Sequence, residues 1–204
     1  MSAITAMKES PSASENPMKF VIERTQLLKA LGHVQSVVEK RGTIAVLANV
    51  KIDAQGDSVA FTATDMDLAM VDKVPGNISR NGITTVPAHM LYEIVRKLPD
   101  GAQVEITESD DGSKVSIRSG GSRFSLACLP VEDFPVMAEG DLDYSFTLKG
   151  AECKALIEKP SFAMSNEETR YYLNGIYFHI AGNGADKTLR AVATDGHRLA
   201  LLPR

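Results

Sequence analysis

One order of elements, written twice, constrains this chain most. From Met18 the apolar positions follow a short strand, a helix and three strands, and the same order returns before residue 130. Residues 19–22 alternate as a strand. A helix follows, with Thr25 as its expected cap and Leu27, Leu28, Leu31, Val34, Val37 and Val38 at three- and four-residue spacing. Strands are predicted at 48–53, 58–64 and 68–74, the first two joined by the turn-forming Ala54-Gln55-Gly56-Asp57. The second copy has a strand at 82–86 and Pro87 where a helix starts. Its helix carries Leu91, Ile94, Val95 and Leu98 and stops at Pro99-Asp100-Gly101. Strands at 103–107, 114–118 and 123–129 complete it, with Val104/Ile106, Val115/Ile117 and Phe124/Leu126/Cys128 in alternation. The fold class predicted is α+β, with two helices packed on antiparallel sheet.

A longer repeat overlies the first. Residues 144–148 open a second unit as 19–22 open the first, and a helix with Cys153, Leu156, Ile157 and Ala163 follows. Leu173-Asn174-Gly175-Ile176 echoes Leu47-Ala48-Asn49-Val50, and Ala193-Thr194-Asp195 echoes Ala63-Thr64-Asp65. The organisation expected is a disordered extension at 1–17, a domain at 18–130, a linker at 131–143 and half of a second domain at 144–204. A lone half leaves a sheet edge and an apolar helix face uncovered, so the pattern predicts a fragment of a longer protein.

Composition narrows the function classes. A net charge of −4, 44% hydrophobic and 24% charged residues describe an ordinary soluble globule. No apolar run approaches the ~20 residues a membrane helix needs, and the N-terminus lacks the apolar core of a secretory signal. Cys128 and Cys153 read as buried thiols of a reducing cytoplasm, the expected location. His33, His89, His179 and His197 stand singly, and no metalloprotease, phosphate-loop or nucleophile-elbow motif occurs. The reading is a protein without catalytic residues, metal or cofactor. A nuclease using Asp65 and Asp67 is the competing enzyme, although no third carboxylate has matching spacing.

Six strings carry a resemblance. They are Met18-Lys19-Phe20, Thr64-Asp65-Met66-Asp67, Thr85-Val86-Pro87-Ala88, Arg123-Phe124-Ser125-Leu126, Arg170-Tyr171-Tyr172-Leu173-Asn174-Gly175 and Ala193-Thr194-Asp195-Gly196-His197-Arg198-Leu199-Ala200. In order and spacing, residues 18–204 resemble the bacterial β sliding clamp family, the processivity subunit of DNA polymerase III. The resemblance implies three similar domains per chain, of which the third is absent here. It implies two chains closed head to tail into a homodimeric ring, with helices on the inner face and antiparallel sheets outside. Double-stranded DNA would pass through without sequence readout. Polymerase catalytic subunit, clamp loader and other proteins with a clamp-binding motif would dock on a peptide pocket. Nucleotidyl transfer would belong to the holoenzyme.

The resemblance also assigns sites. Arg41 matches a family arginine that contacts DNA, and Tyr171 and Tyr172 match a tyrosine pair that does so, although one of the two fits a sheet-packing aromatic equally well. Leu173, Thr194, Gly196, His197, Arg198 and Leu199 match the peptide pocket; without the family, Thr194-Asp195-Gly196 reads as a turn. Phe124 and Leu126 match a dimer edge, or equally an inward core strand. His89, Met90 and Glu167 depart from the family and weaken its duplex contact. Independently, the segments 21–41, 88–98 and 149–164 hold nine cations against five anions, while the rest of the chain is acidic. Arg24, Lys29, Arg96 and Lys97 therefore join the expected duplex contacts, unless these charges serve only solubility.

Overall fold

The computed structural model describes residues 17–38, 44–135, 147–182 and 187–203. The chain divides into two units, residues 1–138 and 139–204.

In the first unit, strand β1 (Lys19–Glu23) leads into helix α1 (Arg24–Val34), followed by β2 (Asn49–Gln55), β3 (Ser58–Thr64) and β4 (Ala69–Pro75). The second half has β5 (Asn77–Arg80), β6 (Gly82–Pro87), α2 (Ala88–Arg96), β7 (Gln103–Glu108), β8 (Lys114–Ser119) and β9 (Ser122–Ala127). Two antiparallel sheets result, ordered β5-β1-β7-β8-β9 and β4-β3-β2-β6. Each half lends its opening strand to the other: β1 pairs with β7, and β6 pairs with β2. Strand β5 was not foreseen. It lies on β1, and after Asn81 the chain steps across to β2 as β6. Gly82 permits the step, since a Cβ there would meet the Met18 Cβ at 2.7 Å.

Phe20 and Ile22 of β1, Leu27, Leu31 and Val34 of α1, Ile52 of β2, Phe61 of β3, Leu91 and Val95 of α2, Ile106 of β7 and Ile117 of β8 form one buried cluster. Each such side chain contributes about 1.5–3 kcal/mol by leaving water. The helix differs from expectation at both ends. Its cap is Glu23, whose carboxylate accepts the Gln26 N–H at 3.1 Å, and Thr25 falls in the first turn. It stops at Val34, because Ser36 Oγ donates to the His33 carbonyl at 2.7 Å and the chain turns; Val38 is buried from that turn.

The second unit has α3 (Gly150–Glu158), β10 (Tyr177–Ala181), β11 (Thr188–Thr194) and β12 (Leu199–Pro203), with the sheet ordered β10-β11-β12. Of the strand expected at 144–148, residues 144–146 lie outside the described residues, and Thr147 and Leu148 join no sheet. Leu156, Ala163, Ala191 and Ala193 are buried. Phe178 and Ile180 of β10 hold the places of Ile52 and Ala54, yet they are exposed. Among the described residues β10 has only β11 beside it, whereas β2 has a strand on either side.

Both units share one turn. Thr64 Oγ1 accepts the Met66 N–H and donates to the Leu68 carbonyl, while Asp65 Oδ1 accepts the Asp67 and Leu68 N–H groups. Thr194 and Asp195 repeat this with the N–H groups of Gly196, His197 and Arg198 and the Arg198 carbonyl. The turn needs a left-handed residue at its third position: Gly196 has φ 88° and Met66 has φ 80°. A side chain there is strained. Met66→Gly is therefore expected to stabilise the first unit by about 1 kcal/mol, read as a higher urea midpoint at unchanged slope.

Candidate nucleic-acid and peptide interfaces

The Thr194–Arg198 turn is polar in its hydrogen bonding and apolar at its margins. Asp195 receives the backbone N–H groups of Arg198 and His197, both at 2.9 Å, and the Arg198 Nε at 2.8 Å. Those donors, backbone first, hold its carboxyl down at about 2. The Arg198 guanidinium lies over the Phe162 ring, 5.7 Å from its centroid. Leu199 is exposed beside the turn, as is His197.

A second loop meets this turn. Residues Glu168–Leu173 form two short helical turns across a kink at Arg170, closed by Ser165 N–H to the Leu173 carbonyl at 3.0 Å and Asn174 N–H to the Tyr171 carbonyl at 3.1 Å. Tyr171 and Tyr172 stand 79% and 71% exposed, edge to face at 5.8 Å. Neither ring is buried against a sheet. Exposed aromatic faces of this kind accept a base or a sugar. Arg170 pairs with Glu167 at 3.1 Å, and its Nη1 lies 3.4 Å from where a Cβ of Gly196 would sit. Leu173, half-buried, ends the loop. Thus Leu173 follows the tyrosines on one loop, Thr194, Gly196, His197, Arg198 and Leu199 follow one another on the other, and Arg170 bridges the two. Arg170 and Phe162 are contributors that residue spacing did not identify.

The cation set needs correction. Arg24 donates from Nε to the Val95 carbonyl at 3.2 Å, from Nη2 to the Arg96 carbonyl at 2.9 Å and from Nη1 to Asp100 at 2.6 Å. With its side chain 13% exposed, it caps α2 and is not presented to a ligand. Arg96 is held by Glu93 at 2.7 Å, whereas Lys29 and Lys97 are exposed. Arg41 lies outside the described residues. Leu126 is only 3% exposed and belongs to the core; Phe124, 38% exposed, lies on the edge strand β9. The thiols also differ from expectation: Cys153 is exposed and Cys128 half-buried.

Asp65 has a local use, in its turn, and no cluster among the described residues has the makings of a metal site. No helix of the described residues is long and apolar enough to cross a membrane.

Residues 18–138 match the family model of the DNA polymerase III beta subunit N-terminal domain, and residues 147–203 match that of its central domain. The chain is 54% identical over 184 residues to the beta sliding clamp of Caulobacter vibrioides, covering 90% of this chain and 50% of that protein. Against the beta sliding clamp of Escherichia coli K12 the identity is 40%, over 90% of this chain and 49% of the relative. A crystal structure of the C. crescentus beta sliding clamp superposes with a TM-score of 0.87 at 52% identity, covering 94% of this chain and 51% of the other. The sliding clamp of Bartonella birtlesii bound to griselimycin gives 0.85 at 47%, over 92% and 50%. The chain spans about half the length of the curated relatives it matches.

Two outcomes follow from this geometry. Arg24→Ala removes charge-assisted bonds to helix carbonyls and is expected to destabilise the first unit by about 2 kcal/mol in chemical denaturation. Asp195 has a depressed pKa, so its contribution to the turn is complete above the ordinary carboxylate pKa of about 4 and is lost as pH falls through about 2. Amide shifts of His197 and Arg198 are expected to titrate with a midpoint of about 2; a midpoint near 4 shows the carboxylate free of those donors.

Proposed function

The chain belongs to the bacterial β sliding clamp family, that of the DNA polymerase III beta subunit, and on that premise we propose that it supplies the first domain and part of the second of a replicative clamp. The single observation that carries the proposal is the tandem match of two clamp domains, in family order, along residues 18–203. In this reading residues 1–17 are an extension, 18–130 the first domain, 131–143 a linker and 144–204 half of the second. The complete protein acts in the cytoplasm as a head-to-tail homodimer closed around double-stranded DNA. It performs no chemistry of its own, and the polymerase stays on its template because a closed ring cannot leave a duplex sideways.

Loose contact is a requirement of sliding. Tyr171, Tyr172, Lys29, Arg96, Lys97 and Arg41 are proposed to touch sugar and phosphate without reading bases. The carboxylates Glu93 and Glu167, which pair with Arg96 and Arg170, temper that attraction. Leu173, Leu199 and the Thr194–Arg198 turn are proposed to receive short peptides from the polymerase catalytic subunit, the clamp loader and other clamp-binding proteins, with apolar anchors carrying most of the energy. Phe124 is proposed to contribute to the dimer edge through β9.

The test uses the full-length protein, loaded on nicked circular DNA. It is expected to remain on the circle through a high-salt wash and to be lost once the DNA is linearised. Equal loss from circle and line refutes encirclement and leaves a peptide-binding module.

A further inference from the structure

The face of the β5-β1-β7-β8-β9 sheet turned away from the buried cluster carries a row of side chains that no site described so far uses. Lys19 of β1 stands opposite Thr107 of β7, Thr107 opposite Ser116 of β8, and Ser116 opposite Ser125 of β9. The row therefore crosses four strands at one level. Lys114 and Arg118 precede and follow Ser116 on the same face of β8. These side chains line an open cleft of about 390 Å³. Among the described residues the hydroxyls of Thr107, Ser116 and Ser125 have no hydrogen-bonding partner, and the Lys114 and Arg118 cations form no ion pair. The acids beside them are engaged. Glu105 meets Lys19 at 2.8 Å, a hydrogen bond that holds its carboxyl below the usual range, and Glu108 Oε2 accepts the Met18 N–H at 3.2 Å. Arg118 stands opposite Glu105 on one side and Arg123 on the other, and like charges on facing positions repel.

We propose that this hydroxyl row binds a pair of linked phosphoryl groups, as in pyrophosphate or the phosphate chain of a nucleotide. Hydroxyls and cations without acceptors suit an oxyanion, to which all of them donate. The cleft has no aromatic lining on which a sugar or base could stack, and its carboxylates, already engaged, do not hold a metal ion. Adjacent strands lie about 4.8 Å apart, so three hydroxyls in register span roughly 10 Å. One phosphoryl group reaches two of them; two linked groups reach all three. Rotation of Thr107 about χ1 turns its Oγ1, covered and unpartnered, into the cleft and gives it an acceptor. Lys114 and Arg118 meet the ligand's charge from either side, and the repulsion between Arg118 and Arg123 is relieved. The site is independent of the duplex and peptide assignments, since it includes no helix residue and neither Thr-Asp turn.

The probes are sodium pyrophosphate, inorganic phosphate, ATP and sodium chloride, titrated by NMR into the isotopically labelled chain at matched ionic strength. Pyrophosphate is expected to give saturable shifts at the amides of Thr107, Ser116 and Ser125 and to bind about tenfold more tightly than phosphate. Arg118→Gln and Ser116→Ala are each expected to weaken it several-fold, while Lys73→Gln, on β4, leaves it unchanged. Binding of ATP as tightly as pyrophosphate assigns the site to nucleotide phosphates, and weaker binding assigns it to free pyrophosphate; both uphold the inference. Equal affinity for phosphate and pyrophosphate overturns it, as do shifts that chloride reproduces or pyrophosphate binding unaltered in both variants. Movement of these amides by a short DNA duplex and not by pyrophosphate overturns it in favour of a nucleic-acid face.

Discussion

The exchange of opening strands holds the first unit together. Strand β1 belongs to the first half by sequence and to the second by hydrogen bonding, and β6 is its mirror. A half of this kind cannot complete its own sheet, because its first strand lies elsewhere. Sheet pairing, helix burial and the closure of the core therefore form together. Ile52 and Ala54 are buried beneath α2 and beside β6, while Phe178 and Ile180, their counterparts on β10, are exposed, with only β11 beside that strand among the described residues.

The Thr-Asp turn shows one solution used for two ends. In both units a threonine hydroxyl and an aspartate oxygen collect the N–H groups that a tight strand connection leaves unpaired. The first unit bears Met66 in the left-handed position at a conformational cost; the second has Gly196, and the Arg170 guanidinium occupies the space a side chain would take. The same backbone is a connection in one place and, on the proposed function, a docking surface in the other. What differs is which side chains the neighbouring loop brings to it.

Charge in this family member is managed locally. On the proposed function, an acidic chain needs cations where a duplex passes and must avoid gripping it. Carboxylates three residues before Arg96, Arg170 and Arg198 pair with those cations and moderate their charge. Exposed ion pairs of this kind contribute little to stability.

The order of elements in the first unit apart from β5, the alternation that buries Val104, Ile106, Val115 and Ile117, and the helix stripe of Leu91 and Val95 were legible in the sequence, because periodicity encodes which face meets the core. So were the recurring Thr-Asp motif and the strings that carry the family. Three things were settled only by the tertiary structure. Arg24 looked like any helix cation until its guanidinium was found on the carbonyls of α2, a contact between residues about 70 positions apart. Alternation could not separate the core role of Leu126 from the exposure of Phe124, since both lie on one face of β9 and only neighbouring elements distinguish them. The meeting of Arg170 with Gly196 depends on two loops converging. Local pattern reports what a residue prefers to face; which residue it faces is a property of the assembled chain.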